Sequence, residues 1–247
     1  MSRPPLRARS ATEIVDAAFQ LYRRDPMTYL LLSAICYAPL LVLQLIVLGP
    51  ATAIEEQIAA ITSGFSLVML FGYWISLSLL SATIVRLSSE DYLGRHFEAP
   101  VAVRDAVVRL PAVMFAFLFK YILIVVGFVF FIIPALWVLA RYFAVTASVV
   151  LEGRGPGAAF GRSARLSRGL KMHILGTSLL AFLIFFVIYF AVTIVGAMTG
   201  SVVVTTLLTI VVSIIAWPMF AITEMLLYYD ARIRSEGFDI EMMEAGL

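Results

Sequence analysis

The sequence predicts an all-α fold: a polytopic transmembrane helix bundle of six spans plus short amphipathic interfacial helices, built as a single integral membrane domain over residues 1–247. Three observations predict it. Of 247 residues, 62% are hydrophobic and 14% charged, with a mean hydropathy of +1.00, whereas a soluble domain carries about 25% charged residues. The apolar residues come in runs long enough to cross a hydrocarbon core, which takes about 20 residues of helix. The cations gather in every second loop.

The spans follow in order. The first, 27–47, opens on Asp25-Pro26, a capping carboxylate followed by a proline suited to a first helical turn. It begins too late and runs too long for a signal peptide, so it is expected to be retained. The second is 60–85. The third and fourth share the stretch 111–151, which as one helix would measure about 60 Å, twice a bilayer core. It must break, and Pro134 within FFIIPAL predicts where, giving spans 111–132 and 134–151. The fifth is 172–198 and the sixth 201–229, with Pro218 predicting a kink.

Arg3, Arg7, Arg9, Arg23 and Arg24 precede the first span. Arg86, Arg95, Arg104 and Arg109 lie between the second and third, and Arg154, Arg162, Arg165, Arg168 and Lys171 between the fourth and fifth. Arg232 and Arg234 follow the sixth. Sixteen of the eighteen cations, all but Lys120 and Arg141, thus fall on one side. The positive-inside rule assigns that side, and both termini, to the cytoplasm. The net charge of +2 is too small to suggest nucleic acid.

Three basic amphipathic segments precede the span pairs: Ser10 to Arg24, Ala99 to Leu110, and Gly157 to Gly169. The first carries a capping box, Ser10 with Glu13, and an apolar face of Ile14, Ala18 and Leu21. Such helices are suited to the membrane interface, apolar face down. They suggest a ragged threefold unit of interfacial helix and spanning hairpin; the alternative is the ordinary basic character of loops before membrane helices.

The closing block, LLYYDARIRSEGFDIEMM, reads as an interfacial anchor. Tyr228 and Tyr229 are expected in the headgroup layer, and Arg232 and Arg234 in the cytoplasm. Asp230 with Arg234, and Arg232 with Glu236, have i,i+4 spacing, and Gly237 supplies a helix stop. The alternative is a docking element for a cytoplasmic protein.

Three charges fall inside apolar runs. Lys120 lies ~12 Å into the third span, Arg141 ~15 Å from the end of the fourth, and Glu224 ~9 Å into the sixth. A charge at a helix centre costs about 2.5–3.5 kcal/mol on insertion scales. The three therefore form a candidate intramembrane site, with Glu224 expected to pair with Lys120 or Arg141. For Lys120 the alternative is snorkelling to the interface. Arg154, Arg162, Arg165, Arg168 and Lys171 are candidate contacts for anionic lipid headgroups, or simply topological charges. The Gly- and Arg-rich stretch that holds them lacks the order of a nucleotide-binding phosphate loop. Phe182, Phe185, Phe186, Tyr189 and Phe190 share one helix face and are expected to pack on neighbours or lipid. Gly196 and Gly200 read as a turn.

No catalytic, cofactor or metal motif is found. His96 and His173 stand far apart, and the one cysteine, Cys36, has no internal partner for a disulfide.

Three segments carry a family resemblance: EIVDAAFQLYRRDP, VLEGRGPGAAFGRSARLSRG and LLYYDARIRSEGFDIEMM. Together they resemble the glycerophosphoryl diester phosphodiesterase membrane domain family of bacteria, over nearly the whole chain. The resemblance implies a helical membrane domain in a bacterial inner membrane. It does not carry the phosphodiesterase activity, which in fused members belongs to a separate soluble domain with its own histidines and metal-binding carboxylates. The resulting expectation is a non-catalytic membrane protein with a scaffold or accessory role in envelope or lipid-related processes, in contact with lipids and a membrane or cytoplasmic protein. The alternative is a small transporter or lipid-handling protein that uses the intramembrane charges.

Overall fold

The structure, a computed structural model, describes residues 7–48, 64–95 and 98–238. Among these residues are nine α-helices and no strand. They are α1 (Ala11–Arg24), α2 (Pro26–Leu48), α3 (Gly64–Tyr92), α4 (Ala99–Phe130), α5 (Ile132–Arg141), α6 (Val145–Glu152), α7 (Pro156–Leu166), α8 (Lys171–Met198) and α9 (Val202–Glu236). Six helical stretches are long and apolar enough to cross a membrane, the fourth being α5 and α6 taken together. The chain is a multi-pass integral membrane protein. The start of the second expected span (60–63), His96 and the end of the closing block (239–243) lie outside the described residues.

Local chemistry sets the helix boundaries. Ser10 and Glu13 close a capping box at the start of α1, with the Ser10 amide donating to Glu13 Oε2 at 2.8 Å. The Arg7 guanidinium, hydrogen-bonded to Glu13, holds its carboxyl down to about 2. Asp25 joins α1 to α2 and accepts the Thr28 amide at 3.2 Å. Gly237 ends α9 in the left-handed conformation, φ 67°, which glycine adopts without a Cβ penalty.

The break in the 111–151 stretch falls at Phe131 rather than Pro134. Pro134 sits in the first turn of α5, where its missing N–H costs no hydrogen bond. The hairpin is tight because Gly127 lacks a side chain: a Cβ there would lie 2.7 Å from the Ala135 backbone. The fourth stretch has a second break at 142–144. Ser163 of α7 repairs it, accepting the Ala144 amide at 3.0 Å and donating to the Arg141 carbonyl at 3.1 Å. Pro218 lies inside α9, which runs on through it.

α9 is the central post, touching α1, α2, α3, α6, α7 and α8. Its 35 residues span about 52 Å against a hydrocarbon core of about 30 Å. α4, at 32 residues, is about 48 Å long. The excess length belongs to the charged end, and there the sequence reading needs correcting twice. The segment from Ala99 to Leu110 is not a separate interfacial helix; it is the first third of α4. And α1 does not offer its apolar face to lipid, for Ile14, Val15, Ala17, Ala18 and Leu21 are buried and α1 packs on α8 and α9.

Burial is correspondingly uneven. At the charged end, Leu80 to Leu87 of α3, Val145 to Val150 of α6 and Ile222 to Tyr229 of α9 contribute the buried core. At the other end, large apolar side chains such as Val129, Phe131 and Ile133 are exposed, as lipid-facing residues should be.

Replacing Gly127 with alanine is expected to lower the melting temperature in detergent by a cost of about 1–3 kcal/mol, because neither backbone can yield freely. Gly176→Ala, with nothing within 4 Å of its Cβ, is expected to leave it unchanged or raise it.

Candidate functional site

Between α4, α5, α8 and α9 lies a cavity of about 560 Å³, a size typical of small-molecule sites. Phe117, Leu136, Leu139, Phe182 and Phe220 give it apolar walls; Lys120, Tyr121, Ser178, Thr223 and Glu224 are polar members, together with Ser81 and Trp217. Several of these polar groups are already spent. Trp217 Nε1 donates to Ser81 Oγ at 3.1 Å, and the Thr223 hydroxyl donates to the Met219 carbonyl at 2.7 Å. Two groups are not. Glu224 Oε1 is sealed from solvent and has no hydrogen-bond partner. Lys120 has no ion pair or hydrogen bond among the described residues.

The structure thus brings two of the three intramembrane charges to one cavity and leaves the third outside. The ion pair expected for Glu224 with Lys120 or Arg141 is not found among the described residues. Arg141 lies instead with its guanidinium 4.8 Å from the centre of the Trp137 ring, and its Nε donates to the Tyr142 hydroxyl at 3.3 Å. Lys171 Nζ shares Trp137, also at 4.8 Å, so an aromatic face partly replaces the hydration of both cations.

At the charged end two knots of charge surround α9. In the first, Glu152 accepts the Tyr228 hydroxyl at 2.6 Å and Arg162 Nε at 2.8 Å, and also pairs with Arg154. Arg162 bridges to Glu236 through Nη2 at 2.8 Å, and Arg232 meets the same carboxylate at 3.1 Å. The Glu236 and Glu152 carboxylates push the Arg162 guanidinium further towards its charged form, against the opposing effect of burial. In the second knot, Asp230 accepts the Arg9 amide at 2.7 Å, Arg234 Nε at 2.8 Å and meets His173 Nε2 at 3.0 Å. Arg234 also donates to the Arg9 carbonyl at 2.7 Å. Nearby, Arg109 donates to the Val149 carbonyl at 3.0 Å, placing a cation at the C-terminus of α6.

These knots revise the reading of the closing block. Tyr228 and Tyr229 are 1% and 4% exposed, and do not form a headgroup belt. The Tyr229 hydroxyl pairs with Ser89 at 2.7 Å. Arg232 and Arg234 do make their i,i+4 pairs. Of the five candidate lipid contacts, Arg162 is 9% exposed and committed to carboxylates, Arg154 pairs with Glu152, and Lys171 lies on Trp137. Arg165 and Arg168 are exposed. On α8, Phe182, Phe186 and Phe190 stack in an exposed row, while Phe185 is buried against Phe19 and Phe220. Gly200 takes the turn with φ +67°, and Gly196 lets α8 approach Thr205 of α9.

Sequence reasoning gave Asp230 its Arg234 partner but missed its links to His173 and Arg9, missed Glu152 as a partner, and missed Tyr121 as a cavity residue. Glu152 was visible as a charge beside an apolar run; what it would meet was not. Among the described residues, no three His, Cys, Asp or Glu side chains gather in a way that could hold a metal ion. No family model matches the chain, and no curated protein or solved structure matches it.

Replacing Arg162 with leucine leaves Glu152 and Glu236 without their shared cation. The expected loss is about 3 kcal/mol, read from thermal or SDS-induced unfolding. Arg165→Ala, on the exposed face of the same helix, is expected to change stability by less than about 0.5 kcal/mol.

Proposed function

We propose that this chain is a non-catalytic lipid-handling protein that holds one lipid-like amphiphile in the cavity between α4, α5, α8 and α9. The observation that carries the reading is a chamber of about 560 Å³ with apolar walls, into which an orphaned carboxylate oxygen and an unpaired lysine are brought together. A buried acceptor without a donor costs about 1–3 kcal/mol, and more when charged. A fold that retains such a group on one cavity with a lysine that has no ion pair is matched to a molecule that satisfies both. An amphiphile does so with its headgroup while its chains meet the phenylalanine and leucine walls.

A docking role for the closing block would support the scaffold reading. Tyr228, Tyr229 and Asp230 are consumed inside the fold, which weighs against it. We further propose a bacterial inner membrane with both termini cytoplasmic, supported by sixteen of eighteen cations on one side. Kinship with the glycerophosphoryl diester phosphodiesterase membrane domain family is likewise a proposal, resting on the three segments that resemble it. Arg165 and Arg168 are free to meet anionic headgroups at the surface.

Native mass spectrometry of the protein released gently from its own membranes tests the reading. One retained lipid per chain is expected. Ser178→Trp, which fills the cavity from α8, is expected to lower lipid occupancy at least tenfold while the protein stays monodisperse. A wild-type protein that carries no lipid, or occupancy unchanged by the tryptophan, contradicts it.

A further inference from the structure

We infer that the cavity selects a zwitterionic phospholipid whose headgroup ends in a primary ammonium, of the phosphoethanolamine type. The inference rests on the lipid-handling reading and adds the headgroup chemistry.

It follows from what the two unspent side chains lack. A carboxylate is an acceptor only, so a ligand that satisfies Glu224 Oε1 brings an N–H or O–H. Lys120 is a donor only, and its complement is an anionic oxygen. Within the protein they do not meet: no ion pair within 4.0 Å joins them among the described residues, although both line the same chamber. The space between them is therefore matched to a group that has an anion at one end and a hydrogen-bonding cation at the other.

The common headgroups can be separated on this ground. A phosphate alone, or a phosphoglycerol, would complete Lys120 but bring a net negative charge towards Glu224. A phosphocholine has the right pair of charges, but its quaternary nitrogen carries no N–H, so the orphaned oxygen would gain a Coulomb partner and no hydrogen bond. A quaternary ammonium is held best by aromatic faces, and such contacts would still leave Glu224 Oε1 without a donor. A phosphoethanolamine supplies phosphate oxygens to Lys120 and three N–H donors to Glu224, and is neutral overall, so neither protein charge stays unpaired in a low-dielectric site. The apolar walls assign this group to a lipid rather than to a soluble zwitterion, since Leu136, Leu139 and Phe182 have no use for water.

The test is a lipid choice experiment on the full chain. Delipidated protein is equilibrated with mixed vesicles holding equal amounts of phosphatidylethanolamine, phosphatidylcholine and phosphatidylglycerol of one chain composition, and retained lipid is read by native mass spectrometry. The expected result is at least a tenfold preference for phosphatidylethanolamine over both others. Glu224→Met keeps the approximate length of the side chain but removes the acceptor oxygens, and should bring the preference over phosphatidylcholine to within about twofold while a lipid is still retained. Lys120→Met should lower retention of all three. Equal retention by the wild-type protein, or preference for phosphatidylglycerol, overturns the headgroup assignment and leaves the lipid-handling reading standing. Retention of no lipid overturns both. Displacement of the lipid by millimolar soluble phosphoethanolamine would show that the chains contribute nothing, and overturns the assignment to a lipid.

Discussion

A bilayer gives its helices no hydrophobic reason to associate, since lipid tails are as apolar as leucine. What fixes this fold is therefore concentrated where α9 outgrows the hydrocarbon. There the hydrophobic effect returns, and Tyr228, Tyr229, Ala231 and Ile233 are buried as they would be in a soluble core. The charges that accompany them are buried or half-buried too, and each has been given a partner. Glu152 and Asp230 act as hubs, and between them they fasten α6, α7, α8, the N-terminal segment and α9. Removing one partner from such a hub leaves a charge without compensation, which makes the arrangement brittle and also unique.

That frame explains how a cavity survives beside it. The helices are held in register from one end, so they need not close on each other along their whole length. Ser163 plays a related part, because it lets the fourth stretch bend at 142–144 without leaving the Ala144 amide unpaired. The bend sets Phe143 and the preceding turns of α5 against the chamber that α8 and α9 also line. The cavity charges differ from the end charges in one respect: the latter are satisfied by the protein, and Glu224 Oε1 is not.

Much of the fold was legible in the sequence, for reasons that are local. Six apolar runs gave six helical stretches, Ser10 with Glu13 gave a capping box, Asp25-Pro26 gave a helix start, and Gly237 gave a stop. The errors came from tertiary contacts. Tyr228 and Tyr229 were assigned to the headgroup layer because two tyrosines at the end of an apolar run usually belong there; the extra length of α9 and the packing of α1 bury them. Pro134 is a local case: proline ends helices but equally begins them, and the turn falls at Phe131. The Tyr228–Glu152 and His173–Asp230 pairs join residues 76 and 57 positions apart, a separation no spacing rule reaches. Of the candidate site, the depth of Lys120 and Glu224 was readable from position alone. That Arg141 turns away to Trp137 was not.

The most direct test of this account asks whether the charged end of α9 holds the surface helices in place. α1 has 14 residues, too few to be stable alone in water, and it stands outside the spanning stretches. Its amide protection therefore reports docking rather than lipid burial. Hydrogen–deuterium exchange of the protein in nanodiscs, wild type against Asp230→Ala, gives the measurement. The account predicts that exchange across residues 11–24 accelerates at least about tenfold in the variant, a loss of about 1.4 kcal/mol or more, while exchange within the apolar stretches of α8 is unchanged. Equal protection of α1 in both proteins would contradict it.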